Sequence, residues 1–229
     1  MNIAILPARS GSERIKLKNI KKFHSKPIIA YPLEKLINLK IFDEIIVSTD
    51  SKKIGKISLN YGATSIISRP NRLADNFAPT RLVIKHAINK LNLQGKKIKN
   101  VCCIYPCNPF LSKKNLMGAY KIFLKNSDYF VYPIVEYAHP IQRAIKINDK
   151  NRIRFINPKN GLKRTQDFAK TYHDAGQFYW ATSKTWLGIK NFHSNSFGYP
   201  IRQSDCVDID TADDWKVAER IYKKQNENL

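Results

Sequence analysis

Two stretches of the chain carry residue types suited to a phosphorylated ligand. Near the amino terminus, Leu6-Pro7-Ala8-Arg9-Ser10-Gly11-Ser12-Glu13-Arg14-Ile15-Lys16-Leu17-Lys18-Asn19 sets small residues beside cations. Ala8, Ser10, Gly11 and Ser12 would let backbone N–H groups approach a phosphate chain, while Arg9 and Lys18 would neutralise it. An ordinary solvated turn has the same composition. Near the other end, Asp208 and Asp210 stand two apart. In extended backbone that spacing puts both carboxylates on one side, where Mg2+ could be shared. Asp210-Thr211 could also open a helix, with Asp210 as N-cap and Asp213 and Asp214 favouring its dipole, but capping leaves Asp208 unexplained.

Other chemistries lose support. The first loop is neither G-x-x-x-x-G-K-[ST] nor G-x-G-x-x-G, which argues against a P-loop NTPase and a dinucleotide dehydrogenase. No G-x-S-x-G elbow marks a hydrolase nucleophile. Cys102 and Cys103 are neighbours on an apolar run and would face opposite ways, so they read as reduced structural thiols and poor zinc co-ligands. His173, Asp174 and Gln177 form a polar cluster entering an aromatic strand with Tyr179 and Trp180. Sugar recognition suits it better than hydrolysis, with a packed turn into a core strand as the alternative for Tyr179 and Trp180.

These residues need a scaffold, and short β-branched runs alternating with longer helical patterns predict a parallel sheet covered by helices. Asn2–Leu6, Glu44–Ser48, Thr64–Ser68, Asn100–Tyr105 and Tyr129–Ile134 read as strands. Pro27–Leu39, Ser51–Tyr61, Pro79–Leu93 and Ser112–Asn126 read as helices, the third burying Leu82, Val83, Ala87, Ile88 and Leu91. From about Ala138 the rhythm breaks into an excursion with short segments at Ala144–Asn148 and Arg152–Asn157. Strands then return at Gly176–Thr182 and Phe197–Arg202. A closing helix from Thr211 shares Trp215, Ala218, Ile221 and Tyr222 on one face, with a tail expected to fray from Lys223. In such a sheet the ligand lies outside the carboxyl ends of the strands, which is where the first loop, Asp50 and Arg69 fall. Asp50 could cap the next helix or contact the ligand directly. Arg69 could form a surface salt bridge or face the ligand.

The whole chain of 229 residues reads as one domain. Its 43% hydrophobic and 25% charged residues exclude disorder at the level of the whole chain. The formal net charge of +22 suits an anionic partner or simply a lysine-rich surface. With no zinc-knuckle spacing, RNP-like motif or basic arm, nucleic acid is not expected as a partner. No signal-like opening or run of about 20 apolar residues is present, so a cytoplasmic chain with no membrane partner is expected.

The first loop resembles the amino-terminal signature of the CMP-sugar synthetases, the cytidylyltransferases that activate nonulosonic acids: Pro7, Ala8, Arg9, Gly11, Ser12, Lys18 and Asn19 match in order. Val47-Ser48-Thr49-Asp50, Arg69-Pro70, Leu73-Ala74-Asp75, Thr80, His86-Ala87, Pro106–Pro109 and Asp208-Ile209-Asp210-Thr211 follow the family's order and spacing. One departure is Glu13 in place of the family Lys, beside Arg14 and Lys16, which could take up part of its role. Tyr105 before Pro106, His139-Pro140-Ile141-Gln142-Arg143 and Tyr172–Trp180 resemble the pseudaminic acid branch rather than the sialic acid branch.

The resemblance implies an α/β, mostly parallel Rossmann-like nucleotidyltransferase sheet with helices on both faces, and a homodimer in which the excursion, about 138–172, reaches toward the partner. It implies transfer of CMP from CTP to a nine-carbon acidic sugar with release of pyrophosphate, with Mg2+ as cofactor. CMP-pseudaminic acid for bacterial glycan or flagellin glycosylation is the expected product; sialic and legionaminic acids are the rival substrates. Arg9, Lys18, Asp208 and Asp210 become catalytic candidates. Ala8, Arg9, Ser10, Gly11, Ser12, Lys18, Asn19, Arg69 and Thr80 become nucleotide-binding candidates. Tyr105, Gln142, Arg143, Arg164, His173, Asp174, Gln177 and Tyr179 become sugar-binding candidates.

Overall fold

Alternating side chains explain how the sheet forms and what covers it. Strand β1, Asn2–Pro7, sends Ala4 and Leu6 to one face and Ile3 and Ile5 to the other, all fully buried. A strand buried on both faces belongs at a sheet centre. The computed structural model describes residues 1–75, 77–188, 193–194 and 196–226.

The elements in chain order are β1, the two-residue strands β2 (Lys22–Phe23) and β3 (Lys26–Pro27), α1 (Ala30–Ile37), β4 (Glu44–Thr49), α2 (Lys52–Asn60), β5 (Ser65–Ser68) and α3 (Thr80–Leu93). Then come β6 (Asn100–Ile104), α4 (Lys113–Lys125), β7 (Val131–Glu136), β8 (Ile145–Ile147), β9 (Ile153–Phe155), β10 (Tyr172–Asp174), β11 (Phe178–Thr182), α5 (Ser183–Leu187), β12 (Phe197–Pro200) and α6 (Ala212–Asn226). The central sheet runs β10-β7-β11-β6-β1-β4-β5, with β12 also on β7. Strands β6, β1, β4 and β5 are parallel, as is the β12–β7 pair, whereas β11 runs antiparallel to both β6 and β7. Gly176, at φ 61, turns the chain between β10 and β11, while Ala175 N–H still donates to Pro133 O at 3.0 Å and Gln177 O accepts from Tyr105 N–H at 2.9 Å.

Helices α1, α2 and α4 cover one face, through Leu33, Ile54 and Phe123, and α3 and α5 cover the other, through Ile84, Ile88 and Trp186. Cys102 and Cys103 fall on opposite faces and are free thiols. Trp180 is fully buried and stacks on Phe42 at 5.2 Å and Phe123 at 5.7 Å, so it belongs to the core. Helix α6 packs Trp215 and Ala218 against Phe23 and Tyr31, carrying the segment before it to the mouth of β1.

Three sequence expectations are corrected here. Leu82 is exposed and Ile84 takes its place in the core, because Val83, Ile84, Ala87, Ile88 and Leu91 form the inward stripe of α3. Helix α6 continues past Lys223 to Asn226. Strand β10 and helix α5 occur where no element was expected. The excursion forms the hairpin β8–β9 with exposed Ile145, Ile147 and Ile153.

Candidate active site

At the carboxyl ends of the parallel strands lies a cavity of about 460 Å³, within the range of small-ligand sites. The loop after β1 forms one side. Ala8 N–H donates to Ser48 O at 2.9 Å, extending the strand pairing by one residue. Ser10 then donates its backbone N–H to Asp50 Oδ1 at 2.9 Å and its hydroxyl to Asp50 Oδ2. Asp50 is therefore a pin for the loop; the cap of α2 is its neighbour Ser51, whose Oγ accepts from Ile54 N. Burial works to raise the Asp50 pKa, but the Ser10 hydrogen bonds and the Arg69 cation hold it below the ordinary carboxylate value.

Leu17, at φ 53, occupies the left-handed region, a strained choice for a non-glycine residue beside a site. After this turn Lys18 Nζ donates to Ile209 O at 2.7 Å and approaches Asp210 Oδ1 at 3.3 Å. Asn19 is buried, donates to Arg9 O at 2.8 Å and accepts from Cys107 Sγ at 3.4 Å, so its amide braces the loop. Burial pushes the Cys107 thiol up to about 12.

The acidic side comes from the segment before α6. Thr211 Oγ1 accepts from Asp214 N, and Asp214 Oδ2 accepts from Thr211 N and Oγ1. This reciprocal box caps the helix, so Asp210 is not its N-cap. Its carboxylate instead meets Arg14 at 2.8 Å as well as Lys18. Asp208 also lines the cavity, and burial followed by repulsion from Asp210 raises its pKa above the ordinary value. Two hard oxygen donors of this kind fit Mg2+, which usually keeps waters and substrate phosphate oxygens around one or two carboxylates. Among the described residues no cluster of three His, Cys, Asp or Glu side chains occurs.

Arg69 is only 5% exposed. Its Nη2 donates to Ser48 O at 2.6 Å and its Nε to Ser48 Oγ at 3.3 Å, so it is a cation buried in the cavity wall and not part of a surface ion pair. Burial lowers its pKa to about 10, with Asp50 opposing and Arg9 adding to the effect.

The cavity therefore brings together Arg9, Ser12, Lys18, Asn19, Arg69, Thr80, Tyr105, Gln177, Asp208 and Asp210. It does not bring in the rest of the sequence candidates. Ala8, Ser10 and Gly11 are not in its lining, and the N–H groups of Ala8 and Ser10 are already committed to Ser48 and Asp50. His173 Nδ1 lies 2.9 Å from Asp174 O. Asp174 accepts from Tyr179 Oη at 2.9 Å, and Tyr179 is buried behind the wall, in the core-strand position left open as an alternative. Gln142, Arg143 and Arg164 sit on the excursion away from this cavity, where Gln142 donates to Ala169 O and Arg164 pairs with Asp167. Arg14 and Asn108 line the cavity without having been assigned a ligand. Asn108 is buried with Nδ2 lacking a protein partner, as is Oε1 of Gln177. Its place inside the Pro106–Pro109 step was the available signal.

Residues 3–228 match the family model described as cytidylyltransferase. The chain belongs to the cytidylyltransferase family. It is 41% identical to a Campylobacter jejuni protein named pseudaminic acid cytidylyltransferase, over 99% of this chain and 98% of that one. It is 29% identical to an Escherichia coli N-acylneuraminate cytidylyltransferase, over 98% of this chain and 52% of that one. A solved CMP:2-keto-3-deoxy-manno-octonic acid synthetase superposes with a TM-score of 0.72 at 13% identity, over 98% of this chain and 99% of that one. That likeness establishes the Rossmann-like nucleotidyltransferase fold. No helix among the described residues of this cytidylyltransferase is long and apolar enough to cross a membrane.

Proposed function

We propose that this cytidylyltransferase activates pseudaminic acid, the anomeric hydroxyl of the sugar attacking the α-phosphate of CTP to give CMP-pseudaminic acid and pyrophosphate. The observation that carries the reading is the meeting of Lys18 with Asp210 across the cavity, beside Arg9 and Arg69. It gathers phosphate-binding cations and a carboxylate pair into one site, in a chain 41% identical to an enzyme of that name. The bond formed is sugar oxygen to α-phosphorus and the bond broken is α-phosphorus to the pyrophosphate oxygen, so no covalent enzyme intermediate is needed. Arg9, Lys18 and Arg69 bind the triphosphate and neutralise charge that grows during displacement, a task of alignment and electrostatics. Asp208 and Asp210 would hold Mg2+, which supplies further neutralisation at phosphate oxygens when bound. To hold it, Asp210 would give up its pairs with Arg14 and Lys18, which would free Lys18 for phosphate. Thr80, Tyr105, Asn108 and Gln177 form the wall offered to cytosine and sugar.

The same reading gives a homodimer. The excursion exposes Ile145, Ile147, Ile153, Ile156 and Leu162, an apolar surface suited to a second copy. Gln142, Arg143 and Arg164 lie on that excursion and would serve the partner's cavity. The reaction belongs in the cytoplasm, where CTP is made. Pyrophosphate release from CTP, with and without Mg2+, tests the reading over pseudaminic, sialic and legionaminic acids. Turnover with pseudaminic acid at the highest kcat/KM, lost on chelation, is the expected result. A preference for another acid refutes the substrate, and no release with any of them refutes the reaction.

A further inference from the structure

Asp208 and Asp210 are carried by residues 206–210, which belong to no helix or strand. A segment of that kind takes its position from what holds its two ends. At the far end are the Thr211–Asp214 box and Lys18, whose Nζ donates to Ile209 O. At the near end is Asp205, whose side chain is 14% exposed. Its carboxylate accepts from Arg202 Nη2 at 3.0 Å and Nε at 3.3 Å. It also accepts, at 3.3 Å, from Nδ2 of Asn115, a buried residue in the first turn of α4. The backbone carbonyl of Asp205 accepts from Gln177 Nε2 at 2.5 Å, and the next residue, Cys206, donates its thiol to Ala175 O at 3.5 Å. Ala175 and Gln177 are cavity-lining residues. One carboxylate and its neighbours thus tie the start of the acidic segment to α4 and to the turn between β10 and β11.

We infer that Asp205 is a positioning residue: held by Asn115 and Arg202, it anchors the segment that carries Asp208 and so sets where the carboxylate pair stands against the basic loop. The inference rests on the proposed reaction, in which that pair holds Mg2+ beside the triphosphate. Asp205 lies three residues before Asp208 and outside the cavity lining, so it acts through the backbone between them. Without its carboxylate the buried Asn115 amide loses an acceptor, and a buried donor left unpaired costs more than the bond itself contributed. The segment and α4 then separate to let water in, and Asp208 moves with the segment. A displacement of about 1 Å at a reacting centre is enough to cost about a hundredfold in rate. Asp210, next to the helix box and paired with Lys18, is held independently.

Exchanging the two side chains tests the anchor. Asp205→Asn alone takes the counter-charge from Arg202 and sets two amides together, and Asn115→Asp alone sets two carboxylates together. Combined, they put the carboxylate on α4 and the amide on the segment, so a donor again meets an acceptor. Three quantities are read for wild type, both single variants and the double variant: the Kd of Mn2+ with CTP present and no sugar, from the paramagnetic resonance of the free ion; kcat with the sugar; and amide exchange over residues 206–210 by mass spectrometry. Each single variant should raise the Mn2+ Kd about tenfold, lower kcat about ten- to a hundredfold and quicken the exchange. The double variant should bring all three back to within about threefold of wild type, since the two changes are coupled through one contact. A merely structural brace would lower the unfolding midpoint and leave the Mn2+ Kd and kcat of the folded protein alone. The inference is overturned if Asp205→Asn leaves the Mn2+ Kd and kcat within about twofold of wild type, or if the double variant is no better than the worse single one. Should the wild-type chain release no pyrophosphate with any sugar, the proposed reaction fails, while the Mn2+ Kd and the amide exchange, which need no turnover, still judge the anchor. A wild-type chain that binds no Mn2+ beside CTP overturns the inference as well.

Discussion

Arg69→Met should separate the stability of the protein from its function. A guanidinium that is 5% exposed has lost most of its water, and burial lowers its pKa to about 10 from an ordinary 12.5 even with Asp50 opposing the change. Each pKa unit is about 1.4 kcal/mol, so charging Arg69 in the folded protein is about 3 kcal/mol less favourable than in water. Two hydrogen bonds to Ser48 offset part of that penalty. Replacing the cation by a neutral side chain of similar length removes the penalty; Ser48 O keeps the Ala8 N–H as a partner, while Ser48 Oγ loses the Arg69 donor. Set against the lost Ser48 Oγ contact and the lost attraction to Asp50, the net effect on folding should stay within about 1 kcal/mol of zero, which for a chain of this size moves the melting temperature by no more than about 4 °C. CTP binding should weaken: losing a charge-assisted contact with phosphate costs about 1.5–3 kcal/mol, or roughly ten- to a hundredfold in Kd. Differential scanning calorimetry and isothermal titration with CTP read the two quantities on the same preparation. A melting temperature lowered by more than about 4 °C with CTP affinity unchanged would show that Arg69 braces the sheet, and the reasoning would fall.

Further outcomes follow from the loop and the acidic segment. Lys18→Ala and Asp210→Ala should each lower kcat by orders of magnitude with circular dichroism unchanged; initial rates equal to wild type would remove both from the mechanism. Asp50 has a folded pKa below its unfolded value, so its contribution to stability is present above the unfolded pKa and is lost as pH falls through the folded one. The stability gap between wild type and Asp50→Asn should accordingly be constant above about pH 5 and close in more acid solution, as followed by urea titration; a gap that persists unchanged at low pH would contradict the pin. Ile147→Glu on the exposed hairpin should convert a dimer into a monomer by light scattering, and a wild-type chain already monomeric at working concentration would dispose of the interface.

What the sequence made legible was set by how local each signal is. The β1 strand, the basic loop and the inward stripe of α6 are written in spacing within a few residues, and they appear in the structure near their expected bounds. Direction is not written that way: the aromatic run Phe178–Thr182 reads as a strand, yet nothing in its alternation says that it enters antiparallel between β6 and β7. Competing caps were a second limit. Asp50 stands beside Ser51 and Asp210 beside Thr211, and in both pairs either residue can cap a helix. Only the folded partners, Ser10 for Asp50 and Lys18 for Asp210, show that each aspartate is the one released for other work. Tyr179 and Asp174 were noticed for their types, but their place behind Tyr105 depends on strand register, which no single segment encodes.

The contact between Lys18 and Asp210 joins residues 192 positions apart in the chain. A ribosome delivers the amino-terminal part first, so the cations of the opening loop wait without their acidic counterpart through most of synthesis. The cavity is closed only when the final helix docks, and a nascent chain arrested before Asp208 would carry the basic loop yet lack the acidic side that faces it.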